Sequence, residues 1–295
     1  MRSRSYLLIS VLAGVAATVQ APASDVRQPQ SVSAASETAA SVPFDLYQGY
    51  FMVVHGSVGP LKNLNFFLDT GTTLPVLDSR IMKKLKLHGE EPTSLVIVGG
   101  RVQGEEATLP SLEFGPVQQS NLEVVAADLS FFEKFLPVRI DTIVGIDVLG
   151  RRPFVIDYSA RVIRFGAAPT LPFSVPLRLD AGLAVFDAEI DQTPVHLLFD
   201  TGASSLVLFA RATPQGPIAK ADAVPQPEAI GNFESKQVRL RSLKLGAEEF
   251  RKKTALVTRN PKPSQLDFDG LMSPVALGIS QVSVDLAGGV LAFSR

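Results

Sequence analysis

Phe66-Phe67-Leu68-Asp69-Thr70-Gly71-Thr72-Thr73-Leu74-Pro75-Val76-Leu77 is written a second time, 131 positions later, as Leu197-Leu198-Phe199-Asp200-Thr201-Gly202-Ala203-Ser204-Ser205-Leu206-Val207-Leu208. Asp, Thr, Gly, Val and Leu coincide, and the apolar triplet ahead of each Asp keeps its character. At the same offset Leu-Pro-Ser-Leu-Glu-Phe-Gly at 109–115 lies on Leu-Arg-Ser-Leu-Lys-Leu-Gly at 240–246. The offset then falls to 128, a three-residue loop difference. Asp141-Thr142-Ile143-Val144-Gly145 matches Asp269-Gly270-Leu271-Met272-Ser273, Leu149 and Gly150 fall on Leu277 and Gly278, Asp157 on Asp285, and Phe165 on Phe293. Landmarks in one order at nearly constant spacing mark a duplicated unit. One lobe is expected at 44–168 and a second at 176–295, joined by a segment rich in proline (Pro169, Pro172, Pro176).

Within each unit the local signals are mostly those of strands. Short β-branched or aromatic runs at 51–54, 95–98, 122–125 and 162–165 are bounded by turn residues. Residues 282–286 and 290–293 flank Ala287-Gly288-Gly289 as a hairpin. One helix is predicted after a cap at Asp78 or Ser79, with Ile81 and Leu85 four apart, and a short one after Gly145. The expected fold is therefore all-β: two homologous closed β-barrel lobes related by pseudo-two-fold symmetry, with few short helices.

The first 43 residues read differently. Arg2 and Arg4 precede an apolar run at 6–19, and Ala21-Pro22-Ala23 follows. Basic start, short apolar middle and small-residue exit are the parts of a secretory signal, expected at 1–23. An uncleaved anchor is the other reading, although the run is short for a bilayer. Removal of 1–23 would take away two arginines and no acid. Residues 24–43, rich in Ser, Ala, Gln and Pro, read as a flexible linker. The mature protein is expected to be periplasmic or secreted, without stable membrane insertion.

Composition narrows the chemistry. The 295 residues carry 28 Lys and Arg against 29 Asp and Glu, so no basic field is available for nucleic acid. Cysteine is absent, which excludes thiol catalysis, disulfides and cysteine-ligated metal. The three histidines, His55, His88 and His196, are far apart and form no metal-ligand spacing, so no metal and no cofactor are expected. What remains is carboxylate chemistry. An Asp directly after three bulky apolar residues sits at the buried end of a strand, where an unpartnered charge is costly. The Thr supplies a hydroxyl, and the Gly lets the chain turn with its amides toward the carboxylate. A single such loop is as readily structural as functional. Two, in two equivalent lobes, bring Asp69 and Asp200 face to face. Carboxyls about 3 Å apart cannot both ionise, so one proton is shared. The ionised member then activates water while the protonated member polarises a carbonyl.

With these residues in view, the chain resembles the pepsin/retropepsin superfamily of aspartic peptidases, and among them bacterial exported proteins with tandem retropepsin-like repeats. The resemblance covers both lobes. It implies that Asp69 and Asp200 are catalytic, supported by Thr70, Gly71 and Thr72 in one loop and Thr201, Gly202 and Ala203 in the other. It implies that the Thr70 and Thr201 hydroxyls interlock the loops from beneath, and that the apolar-apolar-Gly segment packs behind each. It also implies a β-hairpin flap over an extended polypeptide substrate, with Gly99 and Gly100 in lobe one and Gly231 in lobe two as candidates. Both aspartates in one chain imply a monomer; pairing of lobes between chains is the less favoured arrangement.

The second copy departs from the pattern twice. Ser273 and Pro274 stand where the first copy has Gly145 and Ile146, and a Cβ at 273 is expected to press on the second loop. Ala203 stands where Thr72 does, so only Asp69 gains a hydroxyl donor. Asp69 is thus expected to be the more readily ionised member and Asp200 the protonated one. A catalytically degenerate relative that binds peptide or serves as a scaffold is the alternative to an endopeptidase. Asp157 and Asp285 are read as strand terminators at hairpin turns.

Overall fold

The computed structural model describes residues 5–7, 40–97, 100–166, 169–212, 235–258 and 267–295. Among the described residues two sheets hold nearly all of the secondary structure, and three α-helices of four to six residues punctuate them. In lobe one, Phe51–Val58 pairs with Leu61–Leu68, which pairs in parallel with Thr142–Val144. Thr142–Val144 lies antiparallel to Val76–Asp78, and the path continues through Val117–Ala127 to Gly100–Phe114. Gly100–Phe114 returns to Phe51–Val58 through Ser57 opposite Glu113 and Val58 opposite Leu112. The sheet is thereby a closed barrel, as expected, with Phe66, Leu68, Leu109, Leu112 and Phe114 buried inside.

Lobe two repeats the ring with one change. Leu183–Ile190, Thr193–Phe199, Gly270–Met272, Leu206–Phe209 and Thr254–Thr258 follow the same order. The two long strands of lobe one are each broken here, into Ser235–Arg239 with Ser242–Leu245 and Glu248–Arg251 with Thr254–Thr258. Ser242–Leu245 closes the ring on Leu183–Ile190. Six strands of the second sheet run on across the midline and join the lobes. Phe154–Asp157 and Gln281–Asp285 meet antiparallel at the centre of the six, Val162–Phe165 and Val290–Ser294 flank them, and Ala40–Pro43 and Phe173–Pro176 lie outermost. Asp157 and Asp285 do end their strands: each carboxylate accepts a turn N–H at 2.8 Å, from Ala160 and Gly288.

Both lobes begin earlier than the prolines suggested. The expected linker 24–43 ends in a strand, and the expected join contains the start of another, Phe173–Asp180. Pro43 faces Val162 and Pro176 faces Val290, the same register in each lobe. Proline is tolerated in a strand where its missing N–H has no ladder partner to serve, and both prolines sit at strand positions paired on one side only. Val42 packs over Gly115, and Phe44 meets Tyr158 edge-on. At the other end of the barrel sheet, the backbone of Ser5–Leu7 runs parallel to Pro92–Ile97. Among the described residues no helix is long and apolar enough to cross a membrane. Deleting residues 1–43 should lower the unfolding free energy by about 2–3 kcal/mol relative to deleting 1–39, because buried Val42 and an edge ladder are lost. Urea denaturation of the two truncations measures the difference.

Candidate active site

Each Asp-Thr-Gly loop begins where a barrel strand meets a parallel neighbour. Leu68 lies opposite Val144, and the next residue, Asp69, donates its N–H to the Val144 carbonyl at 3.0 Å. Phe199 lies opposite Met272, and Asp200 donates to the Met272 carbonyl at 3.1 Å. Behind each loop stands a brace that the sequence reading passed over. The Asp141 carboxylate accepts the Asn65 N–H at 2.9 Å and pairs with Arg80. The Asp269 carboxylate accepts the His196 N–H at 2.9 Å and pairs with Arg211. The backbone carbonyls of Asp141 and Asp269 accept from Asp78 and Phe209. Asp141 and Asp269 were visible only as landmarks of the repeat. Their partners carried a signal too, since Arg80 and Arg211 stand at the offset of the loops.

The loops are locked to each other by four hydrogen bonds. Thr70 N–H donates to Thr201 Oγ1 at 3.1 Å, and Thr201 N–H to Thr70 Oγ1 at 3.0 Å. The Thr70 hydroxyl donates to the Phe199 carbonyl at 2.9 Å, and the Thr201 hydroxyl to the Leu68 carbonyl at 3.2 Å. Both threonines are buried.

Directly ahead of them the two carboxyls meet. Asp69 and Asp200 are fully buried. A Cβ placed on Gly71 would lie 2.8–2.9 Å from the carboxyl carbon and both carboxyl oxygens of Asp200. The glycine of the first loop thus leaves room for the acid of the second. Within its own loop, Asp69 accepts the Gly71 N–H at 2.8 Å and the Thr72 hydroxyl at 3.1 Å. Asp200 accepts the Gly202 N–H at 2.8 Å, and Ala203 offers no hydroxyl. Among the described residues no N–H or O–H donor reaches Oδ2 of Asp200. Burial first, and then the charge of Asp69, hold the Asp200 carboxyl well above the usual carboxylate range, and its side-chain hydrogen-bond partner is Asp69. A proton on Asp200 therefore relieves both the buried charge and the repulsion from Asp69.

Asp69, Thr70, Gly71, Thr72, Thr201, Gly202 and Ala203 are thus brought together. Of the flap candidates, Gly100 lies among the described residues. Pro92–Ile97 and Gly100–Phe114 form an antiparallel hairpin whose last pair is Ile97 with Gly100. Gly99 and Gly231 lie outside the described residues. One further acid has no counterpart in lobe two, where Val275 occupies its place. Asp147, second in the helix Ile146–Leu149, has an Oδ1 that meets no hydrogen-bond partner among the described residues. Burial raises its carboxyl to about 7, against weaker opposing pulls from backbone N–H groups and Arg151.

An aspartyl protease family model matches residues 53–148 and again 186–280, together more than half of the chain. The chain belongs to the aspartyl protease family, with the family unit present twice in tandem. Among solved structures, it is similar to basic 7S globulin from soybean at 14% identity and a TM-score of 0.49, covering 87% of this chain and 94% of that one. No curated protein matches.

Thr70→Val should cost about 2–4 kcal/mol in urea unfolding, because it leaves the Thr201 amide and the Phe199 carbonyl buried without partners. Thr70→Ser should cost under about 1 kcal/mol. Asp147 keeps its proton in the folded state to about pH 7 but loses it near pH 4 when unfolded, so it lowers stability as pH rises across that window. Relative to wild type, Asp147→Asn should gain at least about 1 kcal/mol between pH 4 and pH 8, read from urea midpoints at each pH.

Proposed function

We propose that this protein is an exported aspartic endopeptidase in which Asp69 and Asp200 share one proton and activate water. The observation that carries the reading is the meeting of two fully buried carboxyls from the two lobes, only one of which has a hydroxyl donor within its own loop. Thr72 and Gly71 stabilise charge on Asp69, whereas Asp200 is held protonated by burial and by its neighbour. Asp69 is then the base that takes a proton from water as the water oxygen bonds to the peptide carbonyl carbon. Asp200 gives its proton to the carbonyl oxygen. When the carbon–nitrogen bond breaks, the proton held by Asp69 passes to the departing amine. The carbonyl re-forms as its hydroxyl proton returns to Asp200, and no metal, thiol or imidazole is required.

The substrate class is an extended polypeptide. The outer edge of Pro92–Ile97 already takes the backbone of Ser5–Leu7 as a parallel strand, the kind of addition by which an extended chain binds. The hairpin that includes Gly100 is the proposed flap over it, and the lobe-two flap is proposed around Gly231. Residues 1–23 are proposed as a signal removed on export to the periplasm or beyond, supported by Arg2, Arg4, the apolar run and Ala21-Pro22-Ala23. One chain supplies both acids, so a monomer suffices.

A chain lacking 1–23 should cleave casein or a peptide library with a maximum on the acid side of neutrality and be blocked by pepstatin. Asp69→Asn and Asp200→Asn should each lower kcat/KM at least about a thousandfold while the fold is kept. Wild type that binds peptides without cutting them at any pH from 3 to 7 would instead identify the degenerate peptide-binding module.

A further inference from the structure

Gly145 and Ile146 of the first repeat are answered by Ser273 and Pro274 of the second. In lobe one the Ile146 N–H donates to the Thr72 carbonyl at 3.0 Å, tying the short helix to the loop that carries Asp69. Gly145 has no room for a side chain, since a Cβ there would lie 2.5 Å from that same carbonyl oxygen. In lobe two Pro274 has no N–H to give, and the buried Ala203 carbonyl would lose its donor. The Ser273 hydroxyl, itself fully buried, donates to the Ala203 carbonyl at 2.6 Å. A side-chain hydroxyl has replaced a backbone amide at the equivalent atom. The expected pressure of the Ser273 Cβ on the loop is not seen. Asp200 N–H reaches its strand partner at 3.1 Å and Gly202 N–H its carboxylate at 2.8 Å, against 3.0 and 2.8 Å in lobe one.

We infer that Ser273 is a positioning residue for Asp200, acting through the Ala203 peptide. Its catalytic consequence rests on the dyad reading above; the hydrogen bond itself does not. Thr72 gives Asp69 a hydroxyl, but Ala203 gives Asp200 none, so backbone N–H groups of the second loop are what orient that carboxyl. The N–H groups of Gly202 and Ala203 both favour its charged form. Gripping the Ala203 carbonyl fixes the turn that aims them. Ser273 and Pro274 are therefore one compensated change: proline removes a donor and serine restores it.

The test uses the chain lacking 1–23 and the variants Ser273→Gly, Pro274→Ile and Ser273→Gly/Pro274→Ile. In urea unfolding, Ser273→Gly should reduce the folding equilibrium constant at least tenfold with Pro274 present, and the double variant should recover most of that loss. The carbon-13 NMR titration of the dyad should move in Ser273→Gly by half a pH unit or more and return in the double variant. Kcat for peptide cleavage should follow the titration, with KM little changed. If Ser273→Gly does not fold, Ser273→Ala, which keeps the Cβ, carries the comparison against Ser273→Thr, which keeps the hydroxyl. Equal stability of the single and double variants, or an unmoved dyad titration in folded Ser273→Gly, would overturn the inference. Loss and recovery of stability and titration in a chain that cleaves no peptide would uphold it while sinking the peptidase reading.

Discussion

Each of two buried threonine hydroxyls accepts the other lobe's amide and donates to the other lobe's strand end. Neither hydroxyl can be satisfied without the other lobe, so the lobes set one another's position to within hydrogen-bond tolerance. The residue before each threonine is an aspartate, and it inherits that spacing. A constraint that is purely structural at 70 and 201 therefore becomes an electrostatic one at 69 and 200. Two acids are held closer than two charges allow, in a place water does not dilute, and a proton has to be kept there.

Duplication supplies the geometry, and departures from duplication supply the chemistry. The ion pairs of Arg80 with Asp141 and Arg211 with Asp269 are the same device used twice, as are the threonine bonds. Thr72 against Ala203 breaks the symmetry at the carboxyls themselves: Asp69 has a hydroxyl donor in its own loop, and Asp200, buried beside it, is held well above the usual carboxylate range. Other breaks are neutralised locally. The second barrel interrupts both of its long strands near 240 and 252, and still closes through Ser242–Leu245.

The repeat made the fold legible, because a strand ending in Asp-Thr-Gly and a later apolar triplet mark the same two neighbours in each barrel. The loop residues were legible for the same reason: their roles depend on local turn geometry and on a midline that the repeat implies. What the sequence concealed was long-range pairing. Arg80 lies 61 residues from Asp141 and looks like one more helix cation until the sheet folds it back. Pro43 and Pro176 misled as punctuation, since proline's missing N–H is harmless at a strand position paired on one side only. Ser273 looked like damage because its hydroxyl's target, Ala203, is 70 residues away.

The strands that join the lobes have a mechanical consequence. They are built jointly by the two copies of the repeat, three strands from each. Phe154–Asp157 is paired residue by residue with 281–284, one strand from each copy of the repeat. Opening the two lobes against each other would have to bend this ladder or break its hydrogen bonds.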